Sequence, residues 1–354
     1  MKHRIQFLRR RREFITLLGG AAAAWTLPAN HMKKVVTPAL AFLAATVVYA
    51  AAQTYPSKPI TLVVPWAAGG PTDTITRILA EPMRVSLGQP LVIENISGAA
   101  GSIGVGRVAR AIPDGYTVVV GNWGTHVSNG AIYSLQFDLV ADFAPVSLLP
   151  SEPLMIAVNK SIPAHDLKEF IAWLKANPNK ATSGTSGIGG PSHIGGILFA
   201  KETGTQFQLV PYRGAGPAMQ DLVAGQVDMM ITGPSIALPQ ARNGNIKIYA
   251  IAARNRVVAA PEVPTVDEAG LPGFYVAVWH GLWVPRGTPQ DVVGKLNAAV
   301  RHALANQAVR KRLTELALEL PSIEQQTPEA LGALQKSEID RWWPTIKAAG
   351  IKAQ

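Results

Sequence analysis

Four glycine-rich stretches hold the residues of this sequence best suited to capturing a small anion. The first, Pro65-Trp66-Ala67-Ala68-Gly69-Gly70-Pro71-Thr72-Asp73, follows an apolar run and opens a helical pattern. Free backbone N–H groups at such a helix start attract an anion, with the positive end of the helix dipole behind them. Glycine lets that anion approach the main chain. The second is Asn95-Ile96-Ser97-Gly98-Ala99-Ala100-Gly101-Ser102-Ile103-Gly104. The third, Ser183-Gly184-Thr185-Ser186-Gly187-Ile188-Gly189-Gly190-Pro191-Ser192-His193, adds hydroxyl donors, and the fourth is Pro211-Tyr212-Arg213-Gly214-Ala215-Gly216-Pro217. One such stretch alone is a tight connection. Four of them, gathered at the carboxyl ends of the strands of an open α/β sheet, lie where ligands bind. Converging amides and hydroxyls with almost no charged groups suit a small carboxylate held by hydrogen bonds.

Single residues in these stretches carry two readings each. His193 is either a donor to a ligand carboxylate or a structural histidine at a helix start. Arg213 is either the charge partner of a carboxylate or an arginine pointing to solvent. Asp73 reads first as a partner of the helix dipole, Asp228 as an acceptor that fixes a loop, and Ser192 as an N-cap. Trp66, Trp123 and Trp279 wall a cleft or pack a core. Two patterns point to other chemistry and fail on context. Gly104-Val105-Gly106-Arg107-Val108-Ala109 matches a dinucleotide fingerprint, but its glycines fall inside a helical stretch, and the acidic residue expected about twenty positions on is missing. Ser192-His193 is no nucleophile and base pair, and no G-x-S-x-G elbow occurs. The seven histidines show no metal-ligand spacing. No catalytic residue, metal or cofactor is expected.

The elements that must position these turns alternate. Candidate strands are Ile60–Val64, Leu91–Glu94, Thr117–Val120, Leu154–Val158, Gln208–Val210, Val227–Ile231, Lys247–Ala252 and Gly281–Val284. Several are continuous apolar runs, as strands covered on both faces should be, and the alternation predicts a mostly parallel α/β architecture. Helical patterns cover Thr72–Met83 and Pro217–Ala224, the latter closed by Gly225, and from Pro289 onward only helices are expected. No repeat or low-complexity linker is visible. A division into two lobes therefore comes from chain crossings, near Glu152-Pro153 and again near Phe274 to Trp279.

The charge balance is uneven along the chain. Of 33 Lys and Arg and 23 Asp and Glu, the first 52 residues hold eight and one, which leaves 25 basic and 22 acidic residues, a net +3, in the remainder. That mild balance without a basic run excludes the footprint of a nucleic-acid binder. There is no cysteine, hence no disulfide, thiolate metal site or cysteine nucleophile. The basic N-terminus reads as addressing over residues 1–52. Arg11-Arg12-Glu13-Phe14-Ile15 gives a twin-arginine-like signal at 9–29. Lys33-Lys34, an apolar Val35–Val48 and Ala50-Ala51-Ala52 give a Sec-like one at 32–52. A transmembrane anchor is the alternative for Val35–Ala52, but Pro38, the alanine end and the missing positive flank favour cleavage before Gln53. The doubled leader leaves Met1 and Met32 both open as starts.

From about Tyr55 to its end, the sequence resembles the Bug-type solute receptors of tripartite tricarboxylate transporters. The resemblance rests on Tyr55-Pro56-Ser57-Lys58-Pro59-Ile60, Val64 to Asp73, Glu94-Asn95 with Gly98-Ala99-Ala100-Gly101, and Pro113-Asp114-Gly115-Tyr116-Thr117. It continues through Gly187 to His193, Pro211-Tyr212-Arg213-Gly214, Gly225-Gln226-Val227-Asp228 and Pro285-Arg286-Gly287-Thr288-Pro289. The resemblance implies a type II-like periplasmic binding fold, with two α/β lobes hinged about a ligand cleft. Lobe 1 would be residues 53–153 and 279–354, and lobe 2 residues 154–278. It implies Ala68, Gly69, Gly70, Thr72 and Asp73 on one side of a ligand carboxylate, and Thr185, Ser186, Gly187, Ser192 and His193 on the other. It also implies a periplasmic monomer that hands a di- or tricarboxylate, amino acid or aromatic acid to membrane subunits of a transporter. A sensing receptor lobe, or an α/β enzyme, is the competing reading.

Overall fold

The computed structural model describes residues 55–348 and 350–352, so both leader segments lie outside the described residues. The architecture falls within one unit, Pro56–Gln354. Its strands are β1 (Ile60–Val64), β2 (Leu91–Asn95), β3 (Thr117–Asn122), β4 (Phe143–Pro153), β5 (Met155–Asn159), β6 (Thr182–Thr185), β7 (Gln208–Pro211), β8 (Met229–Thr232), β9 (Ile246–Ile251) and β10 (Ala277–Pro285). Its helices are α1 (Pro71–Leu87), α2 (Ser102–Ala109), α3 (Asn129–Ile132), α4 (Leu167–Ala176), α5 (Pro191–Thr203), α6 (Ala215–Ala224), α7 (Pro234–Arg242), α8 (Gln290–Ala305), α9 (Gln307–Glu315) and α10 (Pro328–Ala348).

Two five-stranded sheets form, in the orders β2-β1-β3-β10-β4 and β7-β6-β8-β5-β9. The apolar run of β5 is buried at every position, as a strand covered on both faces requires. Pairing is parallel where strand, helix and strand follow one another, at β1 with β2 and β3 and at β6 with β7 and β8. It is antiparallel where β10 meets β3 and β4 and where β5 meets β8 and β9. The sheets are therefore mixed, not mostly parallel. The antiparallel members are the strands that carry the chain between sheets: β4 runs on into β5 through Leu154, and the chain returns from β9 into β10. At the crossing, Leu154 N–H donates to Val276 O at 2.8 Å and Ala252 N–H donates to Leu154 O at 2.7 Å.

Two strands carry no signal of the expected kind. β4 contains Pro145, Pro150 and Pro153, which remove ladder donors. β6 reads Thr-Ser-Gly-Thr and has no apolar residue. Other features follow the pattern. Gly225 closes α6 in left-handed backbone at φ 76°. Gly104 packs α2 closely: a Cβ there would lie 2.6 Å from Ile96 O, so the fingerprint-like glycines serve helix packing. Asp228 Oδ2 accepts from Thr182 N–H at 2.8 Å and from its hydroxyl at 2.9 Å. From Gln290 to Ala348 the chain is built of helices apart from the connecting segment 316–323, which includes a short extended piece. There Glu319 and Ser151 exchange backbone hydrogen bonds of 2.8 and 3.0 Å.

Candidate functional site

Three helices start with the same residue types: Gly70-Pro71-Thr72 at α1, Gly190-Pro191-Ser192 at α5 and Gly233-Pro234-Ser235 at α7. In each, glycine is the extended N-cap and offers no side-chain acceptor. Proline stands at the first helical position, where its missing N–H is no loss. The amides of Thr72 and Asp73 at α1 and of Ser192 at α5 stay open to an acceptor from elsewhere. By contrast, His193 N–H donates to Gly190 O at 3.0 Å. At α7, Ser235 N–H donates to Glu152 and Ile236 N–H to Gly233 O, each at 3.4 Å. All three starts border one cavity of about 40 Å³ between the sheets, room for roughly three waters.

The turn before α1 is braced from behind. Asp73 is buried, and its carboxylate accepts from Gly69 N–H at 2.9 Å, Arg77 Nε at 2.8 Å and Asn95 Nδ2 at 3.0 Å. Burial alone would raise its pKa, but these three donors outweigh it and hold the group below the ordinary aspartate value. Asn95 Nδ2 also donates to Trp66 O at 3.0 Å, which ties the turn to the end of β2. Thr72 faces the cavity, and its Oγ1 accepts from Asn122 Nδ2 at 3.1 Å.

The turn before α5 has a hydroxyl pair at its centre. Ser186 N–H donates to Ser192 Oγ at 2.7 Å, and Ser192 Oγ–H donates to Ser186 Oγ at 2.9 Å. Ser192 thus binds the preceding strand end and does not cap its helix, since Gly190 holds the N-cap position. With its oxygen accepting from Ser192, the Ser186 hydroxyl proton is left for the cavity, which both serines line. His193 Nδ1 accepts from Gly189 N–H at 3.3 Å, and burial lowers its pKa.

Of the anticipated residues, Gly70, Thr72, Ser186 and Ser192 line the cavity. Asp73, Thr185, Gly187 and His193 shape the two turns from outside it. Ala68 and Gly69 are exposed and border a separate outer groove with Gly216. The Arg213 side chain is exposed and contributes nothing to the cavity wall, while its backbone carbonyl accepts from Ala67 N–H at 3.2 Å. That bond joins the turns of the two sheets. Ser128 Oγ–H to Gly189 O at 2.8 Å and Tyr133 O–H to Ile188 O at 2.6 Å join them again. Gly216 allows the approach, since a Cβ there would lie 2.6 Å from Ala68 O. These contacts hold the facing turns together beside the cavity.

Two titratable side chains in the wall depart from the uncharged site read in the sequence. Glu152, 1% exposed, stands one residue before the end of β4 and packs against the Cα of Gly233. Its Oε2 accepts from Ser235 Oγ–H at 2.7 Å and from Ser235 N–H at 3.4 Å. Burial pushes its pKa up to about 7, against the opposing pull of those bonds. His280 on β10 is fully buried and shares an Nδ1 contact of 2.9 Å with Pro150 O, and burial takes its pKa down to about 4. In the sequence Glu152 marked only a crossing point. The repeated Gly-Pro-Ser at 233–235 was the available signal, because a third start of the same type implies a third element facing the same ligand.

Two mixed sheets joined by two crossings, with a cavity of helix starts between them, define a two-lobed solute-binding protein of the periplasmic binding class. Residues 75–351 match the tripartite tricarboxylate transporter family receptor, and the chain belongs to that family. Among solved structures it is similar to MatC (Rpa3494) from Rhodopseudomonas palustris with bound malate, at 43% identity and a TM-score of 0.79, over 82% of this chain and 100% of that one. It is similar to the periplasmic binding protein BugD at 38% identity and a TM-score of 0.81, over 84% and 100%. R. palustris Rpa4515 with adipate matches at 32% identity and a TM-score of 0.80, over 84% and 100%. Among the described residues no helix is long and apolar enough to cross a membrane, and no cluster of side chains could hold a metal ion.

Proposed function

We propose that this chain captures one small carboxylate in the cavity between its lobes and delivers it to the membrane subunits of a tripartite transporter. The observation that carries the reading is the pair of Gly-Pro-Thr/Ser helix starts, at α1 and α5, that border one cavity with open first-turn amides. Their free amides and dipoles favour an anion without any basic side chain. Gly70, Thr72, Ser186 and Ser192 meet the carboxylate, with the amides of the first turns of α1 and α5. Asp73, Thr185, Gly187 and His193 hold the two turns in shape, and Ala68 and Gly69 complete the closing face.

The lobes divide as residues 53–153 with 279–354, and 154–278. The protein acts in the periplasm as a monomer after losing its leader, uses no cofactor and turns nothing over. MatC with malate and Rpa4515 with adipate support a carboxylate as the ligand class. Thermal-shift screening of the mature chain against mono-, di- and tricarboxylates, with calorimetry on the responders, tests the reading. One carboxylate bound per chain, recovered chemically unchanged, is the expected result. Stabilisation by a nucleotide or an ester, with no response to any carboxylate, overturns it.

A further inference from the structure

We infer that the ligand carries a hydrogen-bond donor beside its carboxylate, best an ammonium group, and that Glu152 and His280 receive it. The inference rests on the carboxylate reading above and narrows it from acids at large to amino acids and similar zwitterions.

The cavity wall has two chemical halves. The two glycine turns supply donors: the first-turn amides of α1 and α5, the Ser186 hydroxyl, and Trp66 Nε1, which is buried and has no partner among the described residues. The crossing strands supply acceptors. Only Oε2 of Glu152 is engaged, by Ser235, and among the described residues no lysine or arginine pairs with this buried carboxyl. His280 Nδ1 faces the carbonyl of Pro150, and a carbonyl only accepts, so the proton of the neutral ring sits on Nδ1. Its Nε2 is then a bare lone pair, buried and without a partner. Val278 lies opposite Glu152 in the β4–β10 ladder, and with His280 both line the cavity.

Counting protons separates the ligand classes. An ammonium brings three N–H donors and a positive charge, which serves Glu152 Oε1 and His280 Nε2 together and offsets the buried carboxylate. A hydroxyl serves one acceptor and offsets no charge. A second carboxylate brings no donor. It adds oxygen lone pairs to those of Glu152 and His280, with a single proton on Glu152 to share among them. The α7 start, which could have welcomed that second carboxylate, is already filled by Glu152 through Ser235.

Calorimetry with matched sets of equal carbon length tests this, each set holding the plain acid, its 2-hydroxy form and its 2-amino and ω-amino forms. Propionate, lactate, alanine and β-alanine make one set. Succinate, malate and aspartate make another, and longer chains extend the series. In at least one set an amino form should bind about tenfold or more tighter than the plain acid, with the hydroxy form between them. Glu152→Gln, which keeps the side-chain size, should erase that preference. Plain acids that bind as tightly as their amino forms in the wild-type protein overturn this inference alone. Silence from every member of every set overturns the carboxylate reading beneath it.

Discussion

The starts of α1 and α7 are built from almost the same residues, Gly-Pro-Thr and Gly-Pro-Ser, yet one is open to a ligand and the other is occupied. In both, the N-cap is a glycine with no side chain to cap the helix. Behind α1, the nearest carboxylate, Asp73, is turned away from the cavity by Gly69, Arg77 and Asn95. Beside α7, Glu152 reaches in from β4 and binds Ser235. The helix start sets the sign of the charge it attracts, but a neighbouring strand decides whether that charge comes from the protein or from solution.

Making the open start resemble the filled one should have the largest effect. Gly70 has ordinary backbone, and a Cβ there would make ordinary van der Waals contacts, 3.6 Å from Ala67 O and 3.7 Å from Gly216 N. Gly70→Glu should therefore fold and place a carboxylate where the ligand's belongs. Calorimetry should register a loss of affinity of about a hundredfold or more, with an unchanged circular dichroism spectrum. Retained affinity breaks the equivalence of the two starts.

The converse change, Glu152→Gln, empties the α7 start of charge and is read in the pH dependence of stability. With its pKa raised from 4.5 to about 7, Glu152 is protonated in the fold and ionised in the unfolded chain across that window. Native stability from this group is complete below pH 4.5 and is lost as pH rises through 7, by about 3 kcal/mol in all. His126 and His280, lowered from 6.5 to about 3 and about 4 by burial, act in the opposite sense. Their contribution is present above pH 6.5 and is lost as pH falls through those values. His280 also lines the cavity with Glu152 and stays neutral across the Glu152 window. Urea unfolding should show the variant more stable than wild type at pH 8 and the difference closing by pH 4.5. A pH-independent difference removes Glu152 from the charge balance.

The smallest effect separates the hydroxyl of α5 from that of α7. Ser192→Ala removes the acceptor of the Ser186 amide and frees the Ser186 hydroxyl to turn. Carboxylate affinity should drop about tenfold with little change in melting temperature. An unchanged affinity restricts Ser192 to a structural role.

Much of this architecture was legible because apolar runs and glycine turns are local signals. Ile60–Val64 coincides with β1, and the first and third glycine turns meet across the cavity. What escaped was encoded at a distance. β4 hides behind three prolines, and it forms because β10 pairs along its whole length. Glu152 reads as one acidic residue beside a proline, and only the pairing of β4 with β10 and the packing of Gly233 make it part of a wall. Arg213, the basic residue nearest a glycine turn, is exposed because its turn uses a main-chain carbonyl for the contact with Ala67.

That main-chain contact bears on how such receptors diversify. The bond from Ala67 to Arg213, and the bare Cα of Gly216 against Ala68, involve no side chain at all. A descendant could exchange every group around the ligand for another and still shut its jaws in the same register. Selectivity is then free to drift while the clasp is inherited.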